Sequence, residues 1–256
     1  MRIVSYNILD GGEGRADPLT ETIIAQRPDV VALVEADDPV VIDRIASRLK
    51  MDYVHAPGNS HASALLSRWP IVESINHAPL HPPDKLTKSF LEVLVRTPDL
   101  GDVTFGVVHL RHRATEADES IREQELSVVL DILAPHVAAR RPHVLAGDFN
   151  ANHPAQQIDP AKCKSRTQYD WQLNGGYAPR RVVQKLLDAG YIDTLHAVCA
   201  TDAEVVGTFT TQTPGQRVDY IFTHSIEPSR IKSVWVEQDR LARYASDHFP
   251  VGAEIG

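Results

Sequence analysis

Short runs of β-branched and aliphatic residues alternate with longer segments of helical periodicity along the whole chain. Short apolar runs bounded by turn-forming residues are typical of buried strands. The strand candidates are residues 2–6, 30–34, 64–67, 90–97, 103–110, 143–146, 218–222 and 231–237. Because several strands follow one another with fewer helices between them, the pattern predicts packed sheets with helices outside.

Three segments have the spacing of amphipathic helices. The first begins with Asp17 as its N-cap and Pro18 at the first helical position, and it ends before Pro28. The second begins near Thr115, where acidic residues suit the positive end of the helix dipole. The third covers residues 180–189 and is followed by a glycine that can end it in a left-handed conformation.

The segment 152–179 has little periodicity, and we interpret it as an insertion loop within one domain that spans residues 1–256. Basic and aromatic side chains alternate there, which would suit a nucleic acid or another phosphorylated substrate. A solvated surface insertion would have the same composition. The candidate substrate contacts are Arg166 in this segment, Arg180 just after it, and Arg68 in a separate segment.

The composition is that of an ordinary soluble globular protein, with 43% hydrophobic and 23% charged residues. No apolar run is long enough for a membrane span, and no secretory signal opens the sequence. The two cysteines, Cys163 and Cys199, lack ligand spacing, so we expect free thiols and a cytoplasmic location. The formal net charge of -8 argues against a strongly basic nucleic-acid-binding domain.

The segment Gly147-Asp148-Phe149-Asn150 follows an apolar strand and carries the clearest polar motif. Residues two apart in an extended chain point to the same side, so Asp148 and Asn150 are predicted to project together. Turn chemistry alone would also favour these residue types.

Two further segments carry a carboxylate in a setting that suits a histidine partner. Asp219 lies in the strand-like run 218–222, where burial of a carboxylate is costly unless it is paired. Asp247 and His248 are adjacent and precede another strand. A histidine is the natural partner for Asp219, which would orient its ring and stabilise its cation.

Three more polar residues end apolar strands. Asn7 ends the first strand, Glu35 ends the second, and His109 ends the run Gly106-Val107-Val108. An amide oxygen and a carboxylate are hard ligands that suit Mg²⁺ or Mn²⁺ rather than zinc. Active sites on α/β scaffolds commonly gather at such strand ends.

The order of these motifs, from Asn7 to the Ser246-Asp247-His248 segment, resembles the endonuclease/exonuclease/phosphatase (DNase I-like) superfamily over nearly the full chain. The resemblance implies an α/β four-layer sandwich, in which two packed mixed β-sheets are flanked by helices on both outer faces. A histidine at position 109 resembles the branch with DNase I, sphingomyelinases and phosphatases, rather than the abasic-site endonucleases, which carry a tyrosine-containing segment there.

The resemblance also implies a role for each motif residue. Asn7 and Glu35 would hold Mg²⁺ or Mn²⁺, and Asp247 would join them or act through water. Asp148 would orient or deprotonate the attacking water, and either this residue or a histidine would be the general base. The remaining assignments are Asn150 as a phosphate contact that also fixes Asp148, Asp219 as the group that orients His248, and His109 and His248 as hydrogen-bond donors to the phosphoryl oxygens.

These expectations together predict a metal-dependent hydrolase of a phosphodiester or phosphomonoester, with a slight preference for diesters. The alternative is a catalytically inactive member that binds a phosphorylated ligand or a protein partner. The sequence does not distinguish a nucleic acid, a nucleotide, a lipid head group or a sugar phosphate as the substrate. No obligate protein partner is evident from it.

Overall fold

The computed structural model describes residues 1–199 and 207–256, and twelve strands and seven α-helices carry the fold within these ranges. The strands are β1 (Arg2–Asn7), β2 (Val30–Val34), β3 (Asp52–Ala56), β4 (Ser63–Ser67), β5 (Ile71–Asn76), β6 (Ser89–Thr97), β7 (Gly101–His109), β8 (His143–Asp148), β9 (Ile192–Asp193), β10 (Asp219–His224), β11 (Ile231–Val236) and β12 (Val251–Ile255). The helices are α1 (Ala16–Ala25), α2 (Pro39–Leu49), α3 (Glu116–Ala138), α4 (Ser165–Leu173), α5 (Arg181–Asp188), α6 (Thr194–Val198) and α7 (Arg240–Ala245).

The strands form two six-stranded mixed sheets. The first sheet has the order β11-β12-β1-β2-β4-β3, and the second has the order β5-β6-β7-β8-β10-β9. Each contains one parallel pair, β1 with β2 in the first sheet and β7 with β8 in the second, and the other neighbours are antiparallel. The two parallel pairs bring four carboxyl-terminal strand ends to one edge of the molecule.

Three hydrophobic cores separate four layers. Side chains alternate along each strand, so Ile3 faces the opposite sheet whereas Val4 faces the outer helices. The central core joins the two sheets, and the second core packs α1 and α2 against the first sheet. The third core packs α3 and α5 against the second sheet through residues such as Leu126 and Val183. This α/β sandwich confirms the predicted fold class.

Several predicted boundaries are confirmed and others are wrong. Thr115 caps α3, where its side chain accepts a hydrogen bond from Asp118 N, as the acidic first turn indicated. Asp17 is not an N-cap, because α1 already begins at Ala16 and Asp17 lies in its first turn. The predicted strands are all present with shifts of one or two residues at their ends. Strands β3, β5 and β9 and helices α2, α4, α6 and α7 were not predicted, and β12 was expected only as a strand without bounds after His248.

The segment 152–179 is not an unbroken loop, because it contains the two and a half turns of α4. Its polar helix has a buried anchor, Asp170, that pairs with Arg113 just before α3. Cys163 and Cys199 are both thiols, as expected. None of the helices within residues 1–199 and 207–256 is both long and apolar enough to cross a membrane.

Candidate functional site

Strand register places the predicted polar residues along one edge of both sheets. In the second sheet, Asp148 pairs directly with His109 on one side and with Asp219 on the other. In the first sheet, Asn7 is the last residue of β1, and Glu35 follows directly after β2. The five side chains therefore lie close together where the two sheets meet, and two of them, Glu35 and Asp148, line a cleft of about 340 Å³.

A close approach of two strands fixes the position of Asp148. Gly147 has a φ of 146°, and a Cβ there would lie 1.9 Å from the carbonyl oxygen of Val108. Only glycine allows β7 and β8 to pack this closely immediately before Asp148. Asn150 then adopts a left-handed φ of 49°, and its backbone N–H donates to Asp148 Oδ1 at 2.8 Å. The turn therefore orients the Asp148 carboxylate into the cleft.

The amide of Asn7 connects Asp148 with Glu35. Its Nδ2 donates to Glu35 Oε1 at 3.0 Å and to Asp148 Oδ2 at 3.2 Å, while its Oδ1 accepts from Leu9 N. Glu35 itself has a left-handed φ of 54°, which costs a non-glycine residue about 1 kcal/mol.

A buried hydrogen-bonded pair lies on the other side of Asp148. His248 Nδ1 is 2.9 Å from Asp219 Oδ2, and His248 Nε2 is 3.8 Å from Asp148 Oδ2. Burial alone would lower the pKa of His248, but the Asp219 carboxylate outweighs it and raises this pKa to about 10. Burial and the charge of Asp219 raise the pKa of Asp148 to about 6. The site thus combines an imidazolium with a carboxylate that still binds protons near neutral pH.

His109 lies behind the cleft rather than on its surface. Its side chain is fully buried, and its Nε2 atom lies 2.5 Å from Lys88 Nζ. Burial, together with the nearby charge of Lys88, holds the pKa of His109 well below its ordinary value. Lys88 itself lines the cleft.

Asp247 and residues of the segment 152–179 also line the cleft. Lys164 Nζ donates to Asp247 Oδ2 at 3.1 Å and lies 4.4 Å from the centre of the Phe209 ring. Arg113 and Arg166 also line the cleft, and both pair with the buried carboxylate of Asp170. Two guanidinium groups therefore share one carboxylate, which leaves a net positive charge on this wall.

The three predicted arginine contacts have different locations. Arg166 lines the cleft. Arg180 instead donates from Nη1 to the carbonyl oxygen of Pro154 at 2.9 Å and is outside the cleft lining. Arg68 lies at the opposite end of the first sheet, because β4 runs antiparallel to β2, and its Nε is 3.7 Å from Asp29 Oδ1. The structure therefore does not bring Arg68 or Arg180 to the site.

The model of the Endonuclease/Exonuclease/phosphatase family matches residues 4–248 of this chain. The chain belongs to this family. Its members are metal-dependent hydrolases of phosphoester bonds. No curated protein matches the sequence.

Solved structures of similar fold cover the entire chain. An endonuclease/exonuclease/phosphatase from Beutenbergia cavernae is 24% identical with a TM-score of 0.73, and 72% of its chain is covered. A 3' phosphatase from Neisseria, solved with a product DNA hairpin, is 22% identical with a TM-score of 0.71 and 99% coverage. An AP endonuclease from Archaeoglobus fulgidus is 17% identical with a TM-score of 0.73 and 99% coverage.

The residues of this family member fit a divalent metal ion. Glu35 and Asp247 offer hard carboxylate oxygens, and Asp247 Oδ1 is buried without a hydrogen-bond partner among the described residues. Asn7 Oδ1 accepts from Leu9 N and keeps a second lone pair that a metal ion could use. Asp148, Asp219 and His248 form a second group, whose potential ligand atoms all lie within 4.8 Å of one another. In that second group, however, His248 Nδ1 and Asp219 Oδ2 are already joined by a hydrogen bond.

Sequence reasoning missed two groups at the site. Lys88 directly precedes β6, and its only sequence signal is a cation at the start of a buried strand. His61 Nδ1 lies 2.8 Å from Asp37 Oδ2, a hydrogen bond that raises the pKa of His61, and its ring stacks on His109. The sequence offered one indication of this pair, because Asp37 comes only two residues after the predicted site residue Glu35.

Proposed function

We propose that this protein hydrolyses a phosphoester bond with a bound Mg²⁺ or Mn²⁺ ion, and that a phosphodiester is its preferred substrate. One observation carries the proposal: the Asp219–His248 pair and the Asn7–Glu35 pair flank the same buried carboxylate, Asp148. Hydrolysis of a phosphoester needs an activated water and stabilisation of the charge that develops on the phosphoryl oxygens. This arrangement provides a group for each task.

Asp148 is the proposed general base. Its pKa of about 6 leaves it mostly ionised at neutral pH and still basic enough to accept a proton from water. Asn150 N donates to Oδ1, and Asn7 Nδ2 donates to Oδ2, so the carboxylate is held in one orientation. A water within hydrogen-bond distance of Asp148 would be aimed at a phosphorus atom in the cleft.

His248 is the proposed electrostatic group on the phosphoryl oxygens. Asp219 accepts from Nδ1, so Nε2–H is directed towards Asp148 and the cleft. A cation aimed at a developing negative charge is worth more in a buried site than in water. Glu35, Asn7 and Asp247 would hold the divalent ion, which when bound would neutralise charge on the phosphate or on the leaving group.

The wall formed by Lys164, Arg113 and Arg166 favours a substrate with negative charge beyond the reacting phosphate. A cleft of about 340 Å³ is at the small end of ligand pockets, so one phosphoester and a neighbouring group fill it. Related folds have been solved with a DNA hairpin product and with a single-strand DNA product. A strand end of a nucleic acid therefore suits the cleft better than an intact duplex.

The test is a panel of substrates with Mg²⁺ and with Mn²⁺, each repeated in EDTA. The panel contains bis-p-nitrophenyl phosphate, p-nitrophenyl phosphate, plasmid DNA and single-stranded oligonucleotides. We expect metal-dependent turnover, fastest on a diester, with an oligonucleotide end preferred to intact plasmid. Faster hydrolysis of p-nitrophenyl phosphate than of all the diesters would assign a phosphomonoester instead, and absence of turnover would favour the inactive, ligand-binding alternative.

The role of the segment 152–179 is tested by Arg166→Gln. Arg166 lines the cleft, so we expect a higher KM for an oligonucleotide with little change in kcat and unaltered metal binding. Lys162→Gln is the matched control, because Lys162 is exposed in the same segment and outside the cleft lining. If Arg166→Gln and Lys162→Gln had equal KM and kcat, this wall would have no role in substrate binding.

A further inference from the structure

Lys88 is a buried cation at the cleft whose role neither the motifs nor the family assign. Its side chain is only 5% exposed, although it lines the cleft. Buried charges in proteins are normally paired with opposite charges. Among residues 1–199 and 207–256, no carboxylate oxygen lies within 4.0 Å of Lys88 Nζ, so this ammonium lacks a direct ion-pair partner.

The single hydrogen-bond partner of this ammonium among the described residues is His109 Nε2, at 2.5 Å. The carboxylate oxygens nearest to that nitrogen are Asp148 Oδ2 at 3.7 Å and Glu35 Oε1 at 3.9 Å, both beyond hydrogen-bond distance. An ammonium group has hydrogens to donate and no lone pair. His109 Nε2 therefore accepts from Lys88 and has no hydrogen to donate to a phosphoryl oxygen.

The backbone around Lys88 is held from two directions. Asn59 N donates to the carbonyl oxygen of Lys88 at 2.8 Å, and Thr87 N donates to Glu125 Oε1 of α3 at 2.8 Å. A side chain at Gly58 would lie 2.7 Å from that same carbonyl oxygen, so the approach of this loop requires glycine. These contacts fix the base of a flexible side chain and limit where its ammonium can reach.

We propose that Lys88 donates hydrogen bonds to a non-bridging oxygen of the substrate phosphate, and that His109 is a positioning residue that holds the Lys88 ammonium. The ammonium has three hydrogens, of which His109 accepts one, so two remain for an anion in the cleft. This proposal rests on the proposed function, and it changes the role that family resemblance implies for His109. The ligand class is an inorganic phosphate or a phosphoester.

The test titrates inorganic phosphate into the purified protein with Mg²⁺ present and measures its dissociation constant by calorimetry. A charge-assisted hydrogen bond is worth about 1.5–3 kcal/mol, so Lys88→Met should weaken binding by about tenfold to a hundredfold. Lys88→Arg keeps the charge and should retain part of the affinity. Lys85→Met is the matched control, because Lys85 is exposed and outside the cleft lining, so this variant should bind phosphate like the parent. Thermal unfolding checks each fold, and Lys88→Gln replaces Lys88→Met if the latter does not fold.

A double-mutant cycle separates the two residues. If His109 acts through Lys88, the single variant His109→Asn should bind phosphate more weakly than the parent. The double variant with Lys88→Met should then bind phosphate no more weakly than Lys88→Met itself. Multiplicative losses would show that His109 contacts phosphate itself, and an unchanged dissociation constant for Lys88→Met would overturn the proposal. The titration measures phosphate binding and does not depend on turnover. A parent protein without hydrolytic activity would contradict the proposed function, but the phosphate affinities of the variants would still test the role of Lys88.

Discussion

The charge of Asp219 controls the protonation of His248, and Asp219→Asn isolates this effect. An asparagine Oδ1 can still accept from His248 Nδ1, so the ring keeps a partner while the charge is lost. The pKa of His248 is raised from 6.5 to about 10, which corresponds to about 5 kcal/mol of preferential stabilisation of the cation. Burial, which acts in the opposite direction, remains in the variant. We therefore expect the pKa of His248 to fall by at least about two pH units.

The direct assay is NMR titration of the imidazole signals in metal-free protein, with His248→Gln used to assign the signal of His248. The parent ring should stay protonated to near pH 10, whereas the variant ring should titrate below about pH 8. In hydrolysis assays, the ratio of parent to variant kcat should then grow by up to tenfold for each pH unit above the variant's pKa. A pKa in Asp219→Asn within one unit of the parent value would refute the account of this pair.

Three further predictions concern metal binding, pH-dependent stability and the cleft wall. Glu35→Gln should weaken Mg²⁺ affinity about tenfold or more in calorimetry; Mg²⁺ binding as tight as in the exposed control Glu13→Gln would remove Glu35 from the ligands. Burial lowers the pKa of His143 to about 4, so the unfolded chain binds a proton at this residue before the folded protein does. The free energy of unfolding should therefore fall by about 3 kcal/mol as the pH is lowered from 6.5 to 4. Urea unfolding should show a flatter pH dependence for His143→Gln, and an identical slope would contradict this. Asp170→Asn should destabilise the protein by about 2 kcal/mol in urea unfolding, since it removes charge from two hydrogen bonds with Arg113; a loss below about 0.5 kcal/mol would show that the pair contributes little.

The fold class was predictable because its signals are local and repeated. Alternation in β1 assigns Ile3 and Val4 to different cores, and Thr115 is a recognisable N-cap for α3. Helix α4 was missed because its sequence has no apolar stripe. It is held instead by the pair between Asp170 and Arg113, residues 57 positions apart, which local periodicity cannot reveal.

Some residues of the candidate site could likewise be predicted from the local sequence, and others could not. Motif residues such as Asp148 and Asp219 were visible because each is a carboxylate next to an apolar strand-like run, and register then places the last residue of β8 opposite the first residue of β10. Lys88 was missed because a lone lysine before a strand is usually solvated. Its burial and its contact with His109 arise only when β6 pairs with β7. Arg68 was misplaced because the antiparallel direction of β4 cannot be read from the residues that flank it.

The central claim is that Asp148 activates water for hydrolysis of a phosphoester. The most direct measurement compares kcat of the parent, Asp148→Asn and Asp102→Asn on bis-p-nitrophenyl phosphate in Mg²⁺, with EDTA as the metal-free control. Asp102 is an exposed carboxylate on β7 that pairs with Arg96, so its variant controls for the loss of one negative charge. The account predicts that kcat falls by about a hundredfold or more in Asp148→Asn alone, with phosphate binding and thermal unfolding retained. Turnover in Asp148→Asn within a few-fold of the parent value would contradict it.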